Sequence, residues 1–281
     1  MLGGVTFFRF SGVMPEISGG MPVTVFDDHA LSKSPFRRLI PSLYRRLDGL
    51  GLRRHSIKTR YGLQFLLDKT NLVDRSMKYR FGWEGEKFEK FIARTQDCFG
   101  DQIVFLDVGA HWGLYAIRVS LLPSFDEIHA FEPDKRNRAQ LYGNLFLNAL
   151  EDRITVHPYA VSDTAGELSF LMARPGNRGV SRIVEDAASG QQIVTVQSEP
   201  LDDHFDYKNR EIAIKVDVEG AEAKALSGMK ELISNNKVIL MVEIHPENYA
   251  LTVPVLEGLG LTLSEELSDT KGETDYLFKN F

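Results

Sequence analysis

The chain has 281 residues, 43% hydrophobic and 26% charged, with 33 Lys+Arg against 39 Asp+Glu and a net charge of −6. That balance suits a soluble globule with an ample core, and it excludes a collagen-like or wholly disordered chain and a bulk polycation that coats nucleic acid. The single cysteine, Cys98, excludes an intrachain disulfide and a four-cysteine zinc site, and fits a reducing, cytoplasmic setting.

The opening residues, Met1 to Arg9, carry no early basic cluster and do not read as a secretory signal. No stretch approaches the ~18 uncharged apolar residues of a membrane span. Residues 1–32 hold scattered Gly, Pro and Ser and are expected to be irregular. Charge is uneven: residues 1–100 carry 17 Lys+Arg and 10 Asp+Glu, the rest 16 and 29. The basic excess sits in 33–60, where Leu39, Leu43, Leu47 and Leu50 recur at helical spacing among Arg37, Arg38, Arg45, Arg46, Arg53 and Arg54. This predicts a basic amphipathic helix within an N-terminal extension, 1–56. Two readings stay open: a helix docked on its own domain with a solvated arginine face, or one that contacts an anionic membrane surface or an acidic protein.

Residues 57–67 read as a hairpin, and 72–80 and 84–95 as helices, the second with Glu84, Glu86 and Glu89 in its first turns; together they form a unit, 57–100, packed on the core. From 101 to 281 the pattern changes. Apolar runs at 103–108, 128–132, 154–157, 212–217 and 238–244 alternate with helical stretches at 114–122, 134–149 and 221–233, which predicts a parallel sheet covered by helices on both faces. Two β-like stretches, 166–172 and 192–197, flank a loop at 173–191 that carries Arg174, Arg178 and Arg182 and could cover an anionic acceptor. Residues 246–259 read as helix or turn broken by Pro254, and 276–278 as a last strand.

Ligands of open α/β sheets bind beyond the carboxyl ends of the strands. The loop after the first of these strands is Asp107-Val108-Gly109-Ala110-His111-Trp112-Gly113. A dinucleotide fingerprint needs a middle glycine so that backbone can approach a pyrophosphate, and here His111 and Trp112 stand there instead. Glu132 ends the second strand, where a carboxylate can accept both ribose hydroxyls. A ribose site unsuited to phosphates fits an adenosyl cofactor, and the cationic groups of S-adenosylmethionine suit a loop opened by Asp107. Asp107 as a turn cap and Glu132 as a rim charge remain the bland alternative.

Residues 105–115, Phe-Leu-Asp-Val-Gly-Ala-His-Trp-Gly-Leu-Tyr, resemble the first motif of class I S-adenosylmethionine-dependent methyltransferases. The wider pattern is similar to the FkbM family, through Ala130-Phe131-Glu132-Pro133, Ala160-Val161-Ser162-Asp163, Lys215 to Glu222, and Val242-Glu243-Ile244-His245-Pro246. The resemblance covers about 57–281. It implies a Rossmann-like class I fold with a mostly parallel seven-stranded sheet. It also implies that Asp107, Gly109, Ala110, His111 and Gly113 lie along the methionine end, that Glu132 and Pro133 hold the ribose, and that Ala160, Val161 and Asp163 lie by the adenine, with Asp217 close to the donor. The family commonly has Asn where His111 stands. The acceptor it implies is a hydroxyl on a sugar, glycolipid or secondary metabolite.

Asp217-Val218-Glu219 and Glu243-Ile244-His245 place polar groups two residues apart at strand ends; if extended, each pair shares a face. Several buried carboxylates need a positive partner, for which the sulfonium, Lys215 or a metal would serve. Two chemistries stay open for activating an acceptor hydroxyl: His245 as base, backed by Glu243 or Asp217, or a divalent ion on Asp217, Glu219 and Glu243. A nicotinamide-dependent oxidoreductase and a non-catalytic binding module are the competing functional classes; a nucleic-acid substrate is not expected, since 101–281 is acidic.

Overall fold

The structure, a computed structural model, describes residues 55–79, 84–173, 177–184, 192–267 and 274–281. The expected basic helix lies, up to residue 54, outside the described residues, as does Arg174. No helix among the described residues is long and apolar enough to cross a membrane.

The described chain opens with an antiparallel hairpin, β1 (His55–Arg60) and β2 (Leu63–Asp68), then α1 (Leu72–Tyr79) and α2 (Gly85–Cys98). Strand and helix then alternate: β3 (Ile103–Val108), α3 (Leu114–Val119), β4 (Phe125–Phe131), α4 (Lys135–Asn148) and β5 (Thr155–His157). A small second sheet follows, built from β6 (Ala160–Val161), β7 (Gly166–Leu171), β8 (Arg182–Ile183) and β9 (Ile193–Glu199) in the order β6-β9-β7-β8. The main sheet resumes with β10 (Glu211–Val216), α5 (Glu222–Ser227), α6 (Lys230–Asn235), β11 (Lys237–Ile244), α7 (Tyr249–Gly258), β12 (Thr262–Glu266) and β13 (Thr274–Lys279). Its order is β12-β13-β11-β10-β3-β4-β5, all parallel from β11 to β5, with β13 antiparallel to both of its neighbours. This is the Rossmann-like class I arrangement, seven-stranded and mostly parallel.

Continuous apolar runs form these strands because both faces are covered. Phe105 faces one core with Ala213, Ile239 and Met241, while Leu106 faces the other with Ile214, Leu240 and Val242. Three elements differ from the expected ones. The helix at 221–233 is two helices, α5 and α6, parted at Gly228, where a Cβ would stand 2.0 Å from the Ser162 carbonyl oxygen. α7 runs through Pro254, since Pro254 and Ala250, whose carbonyl loses its partner, both lie on the exposed face. β12 is a mostly exposed edge strand, polar but for Leu263, without an alternating signature.

The hairpin docks through an unusual helix face. On α4, Gln140, Asn144 and Asn148 recur at four-residue spacing and pair with the free edge of β2. Asn144 and Asn148 accept from the Leu66 and Gln64 amides at 2.7 and 2.8 Å, while Gln140 and Asn148 donate to the Leu66 and Gln64 carbonyls at 2.7 Å each. Side chains here replace a neighbouring strand. On the opposite side Arg118 of α3 is clasped between the rings of Tyr61 and Phe88, 4.2 and 3.5 Å from their centroids.

Candidate active site

The chain leaves β3 for β4 and β5 on one side and returns to β10 on the other. At that reversal, beyond the carboxyl ends of the strands, lies a cavity of about 220 Å³. The loop after β3, the end of β4, the small sheet and the ends of β10 and β11 wall it, and Leu72, Val73 and Glu84 close it from the N-terminal unit.

The loop after β3 is wound tightly. Gly109 has φ 85°, and a Cβ there would stand 1.8 Å from the Asp217 carbonyl oxygen, so only glycine lets this loop lie against the end of β10. His111 is also left-handed, at φ 52°. The loop's amides are consumed internally: Gly109 and Ala110 both donate to the Phe131 carbonyl at 3.0 Å, His111 to Glu132 Oε2 at 2.8 Å, and Gly113 to the Ala110 carbonyl at 2.7 Å. Amides so engaged cannot cradle a pyrophosphate. Trp112 is buried and meets Phe65 of the hairpin edge-on at 5.5 Å.

Glu132 lies just past β4, 5% exposed. Its two oxygens accept the His111 and Asp134 amides at 2.8 and 2.7 Å, and the Asn137 side chain adds a further hydrogen bond. Burial pushes it up to about 8, against the pull of those amides. Asp107 has one oxygen on the Ala116 amide at 3.0 Å and the other unpartnered, and burial pushes it up to about 6. Pro133, Ala160 and Val161 line the cavity. Two expected residues do not. Gly113 turns its α-carbon toward Leu141, which a Cβ would meet at 2.3 Å. Asp163 is exposed in the turn after β6, its carboxylate 3.1 Å from the Ser162 hydroxyl, and lies outside the cavity wall.

At the other end Asp217, Glu219 and Glu243 all line the cavity, and Lys215 Nζ stands 2.9 Å from Asp217 Oδ2. His245, expected in contact with the acceptor, does not line it; its Nε2 stands 3.4 Å from Glu219 Oε2, behind that side chain. The shared-face expectation fails for Asp217 and Glu219, since β10 ends at Val216 and Glu219 has φ 54°; past β11 the chain is still extended at His245, with φ −66° and ψ 143°. Lys215 holds Asp217 below the ordinary carboxylate range, whereas burial and the charges of Asp217, Asp275 and Glu84 push Glu243 up to about 10. Among the described residues no group of three His, Cys, Asp or Glu side chains could hold a metal ion, and Asp217 is committed to a lysine; Asp217, Glu219 and Glu243 do not fit a divalent ion.

Four further residues line the wall that were not expected there, although Arg178 was noted in the loop at 173–191. Asn137 turns an unpartnered atom, Oδ1, into the buried wall, and so does Arg178 through Nε, while the Tyr115 hydroxyl meets Glu84. Arg178, far from lying free over an acceptor, is buried against Gln140 and stands 3.7 Å from Asp74. The fourth, Glu84, lies at the start of α2 and reads there as an ordinary first-turn acid. With Asp107 Oδ1 and His111 Nε2, which are also unpartnered, these atoms make a wall that awaits a polar ligand. Such a wall suits a polar, partly cationic ligand better than a diphosphate.

A family model described as "Methyltransferase FkbM domain" matches residues 107–268. No curated protein matches the chain. Similar solved structures include methyltransferase FkbM from Methylobacillus flagellatus KT, 22% identical, TM-score 0.48, covering 64% of this chain and 44% of that one. TYW2 of M. jannaschii, in complex with AdoMet, is 12% identical, TM-score 0.43, over 82% and 89% of the two chains. Precorrin-6y C5,15-methyltransferase from Geobacter metallireducens GS-15 is 14% identical, TM-score 0.41, over 68% and 86%. The chain thus spans less than half the length of the Methylobacillus protein.

Proposed function

Because the chain belongs to the methyltransferase FkbM domain family, matched over more than half its length, we propose that it methylates a hydroxyl of a sugar, glycolipid or secondary metabolite from S-adenosylmethionine. The donor class follows from the family; the engaged loop amides are the observation that carries it here, since they favour an adenosyl ligand without phosphates over a dinucleotide. When bound, the donor supplies an electrophilic methyl group on a positively charged sulfur.

The protein's own part is to hold the two reactants in line and to remove a proton. Glu132, braced by the His111 and Asp134 amides, presents its remaining acceptor capacity to the ribose hydroxyls. The unpartnered Asp107 oxygen would hold the donor's ammonium group. Asp217, kept ionised by Lys215, would supply fixed negative charge to the donor's sulfonium. The acceptor's proton leaves through Glu219, which touches the cavity, with His245 behind it at 3.4 Å to receive it. Glu243, held protonated, donates a hydrogen bond to the acceptor instead of taking a proton.

Calorimetry tests this. S-adenosylmethionine should bind and NADH should not, and Glu132→Ala should weaken the former by about tenfold or more, as expected when a carboxylate loses its hydrogen bonds to a ligand. Binding of NADH in place of S-adenosylmethionine overturns the donor assignment. Mass spectrometry of glycan and lipid extracts incubated with methyl-labelled donor tests the acceptor class; label confined to protein or nucleic acid would overturn it.

A further inference from the structure

The cavity holds more negative charge than its lysines balance. At the ends of β3, β10 and β11, Asp107, Asp217 and Glu243 line the wall with Lys215, and Glu84 joins them from the start of α2. Behind them Asp275 of β13 pairs with Lys87 of α2. Four of these five carboxyls are pushed up by burial and by one another, which is how a buried acidic group relieves itself when no cation is present. One unpartnered buried oxygen, Asp107 Oδ1, belongs to the same wall, as does the Tyr115 hydroxyl that meets Glu84. A ligand carrying positive charge is what this end of the cavity lacks.

Glu84 is the member of the set whose backbone has no local explanation, although its carboxyl meets the Tyr115 hydroxyl. It occupies the position preceding α2, where an acid ordinarily accepts an amide of the first turn, yet it makes no such bond. Its backbone is instead left-handed, at φ 50° and ψ 28°, a conformation that disfavours any residue with a Cβ. The result is that the carboxyl points into the cavity. Strain kept at a cavity wall is the mark of a functional constraint. The other acids have local tasks: Asp217 holds Lys215, Asp275 holds Lys87, and Asp107 anchors the Ala116 amide. Glu243 stays protonated.

We propose that Glu84, delivered from ahead of the family-matched region, is the carboxylate that makes the donor site prefer the sulfonium donor to its uncharged thioether product. The inference rests on the cavity being the donor site. Facing Glu84 are Lys215 and Asp217 from the end of β10, Glu243 from β11, Asp275 from β13, Lys87 from α2, and Tyr115 and Arg118 from α3. In that company burial pushes it to about 7, so the arrival of a permanent positive charge drives it to its ionised form. Methyl transfer removes that charge from sulfur: the carbon–sulfur electron pair stays on sulfur, and the product becomes neutral there. Glu84 then attracts the product less than it attracted the donor, which favours exchange of one for the other.

Calorimetry with S-adenosylmethionine and S-adenosylhomocysteine on the full chain tests this, using the wild type, Glu84→Gln and Glu84→Gly. Glycine removes the carboxyl and also releases the left-handed strain, so this second variant folds even where glutamine does not. Both variants should bind S-adenosylmethionine about tenfold more weakly while binding S-adenosylhomocysteine within about twofold of wild type. Equal weakening of both ligands would make Glu84 a shaping residue only, and no weakening of either would remove it from the donor site; each result overturns the proposal. A wild type that binds neither compound would instead sink the donor site itself.

Discussion

Asn144→Ala should unfold the partnership between hairpin and core. Asn144 is 0% exposed, and its side chain makes two bonds: it accepts from the Leu66 amide at 2.7 Å and donates to the Trp112 carbonyl at 2.8 Å. Alanine leaves both backbone groups without partners. A polar group kept from water costs about 1–3 kcal/mol. The Trp112 carbonyl bond is fully enclosed and the Leu66 amide bond partly so, which places the loss at about 2–4 kcal/mol, a large share of the ~5–15 kcal/mol that holds a domain folded. Asn148→Ala removes the same chemistry from Gln64, but at an exposed position where water substitutes, and should cost under about 1 kcal/mol. Urea unfolding at constant slope measures both losses, and hydrogen exchange at the Leu66 amide locates the first. Equal costs for the two variants, or an unaltered Leu66 amide in Asn144→Ala, would refute the idea that amide side chains stand in for a strand at this edge.

Glu243→Gln should stabilise the ligand-free protein increasingly as pH rises. The native state raises this carboxyl from its ordinary 4.5 to about 10, so the stability it contributes is full below about 4.5 and lost toward 10; glutamine copies the protonated form and does not titrate. Melting temperatures of the two proteins should diverge from pH 5 to pH 9, and parallel curves would contradict the assignment. Gly109→Ala should abolish donor binding and cost more than about 3 kcal/mol, because the new methyl collides with the Asp217 backbone in a left-handed conformation. Thermal unfolding and calorimetry check it; near-wild-type values in both would show that the loop relaxes freely.

Strand and helix order was legible because β3, β10 and β11 are buried on both faces and leave unbroken apolar runs. The tight loop after β3 was legible for a different reason: Gly109 packs against the Asp217 backbone and Glu132 accepts the His111 amide, so both residue types follow from local backbone geometry. What stayed hidden depends on partners distant in the chain. The split at Gly228 comes from Ser162, and the amide row on α4 matters only because β2 lies beside it. The row itself was visible as polar residues at helical spacing, a signal easily taken for a solvated face. Glu84 carried no signal at all, since an acid ahead of a helix has an ordinary explanation that its left-handed backbone alone removes. His245 keeps extended backbone past β11 yet lies outside the cavity wall, against Glu219, a placement that strand alternation does not reveal.

β13 sits between β11 and β12, although the ribosome makes it after both. Until residues 274–279 have emerged, β11 exposes an unpaired inner edge and Lys87 lacks its carboxylate partner on Asp275. Nascent chains arrested between β12 and β13 should therefore be the species that chaperones hold longest, and they should not yet retain the donor.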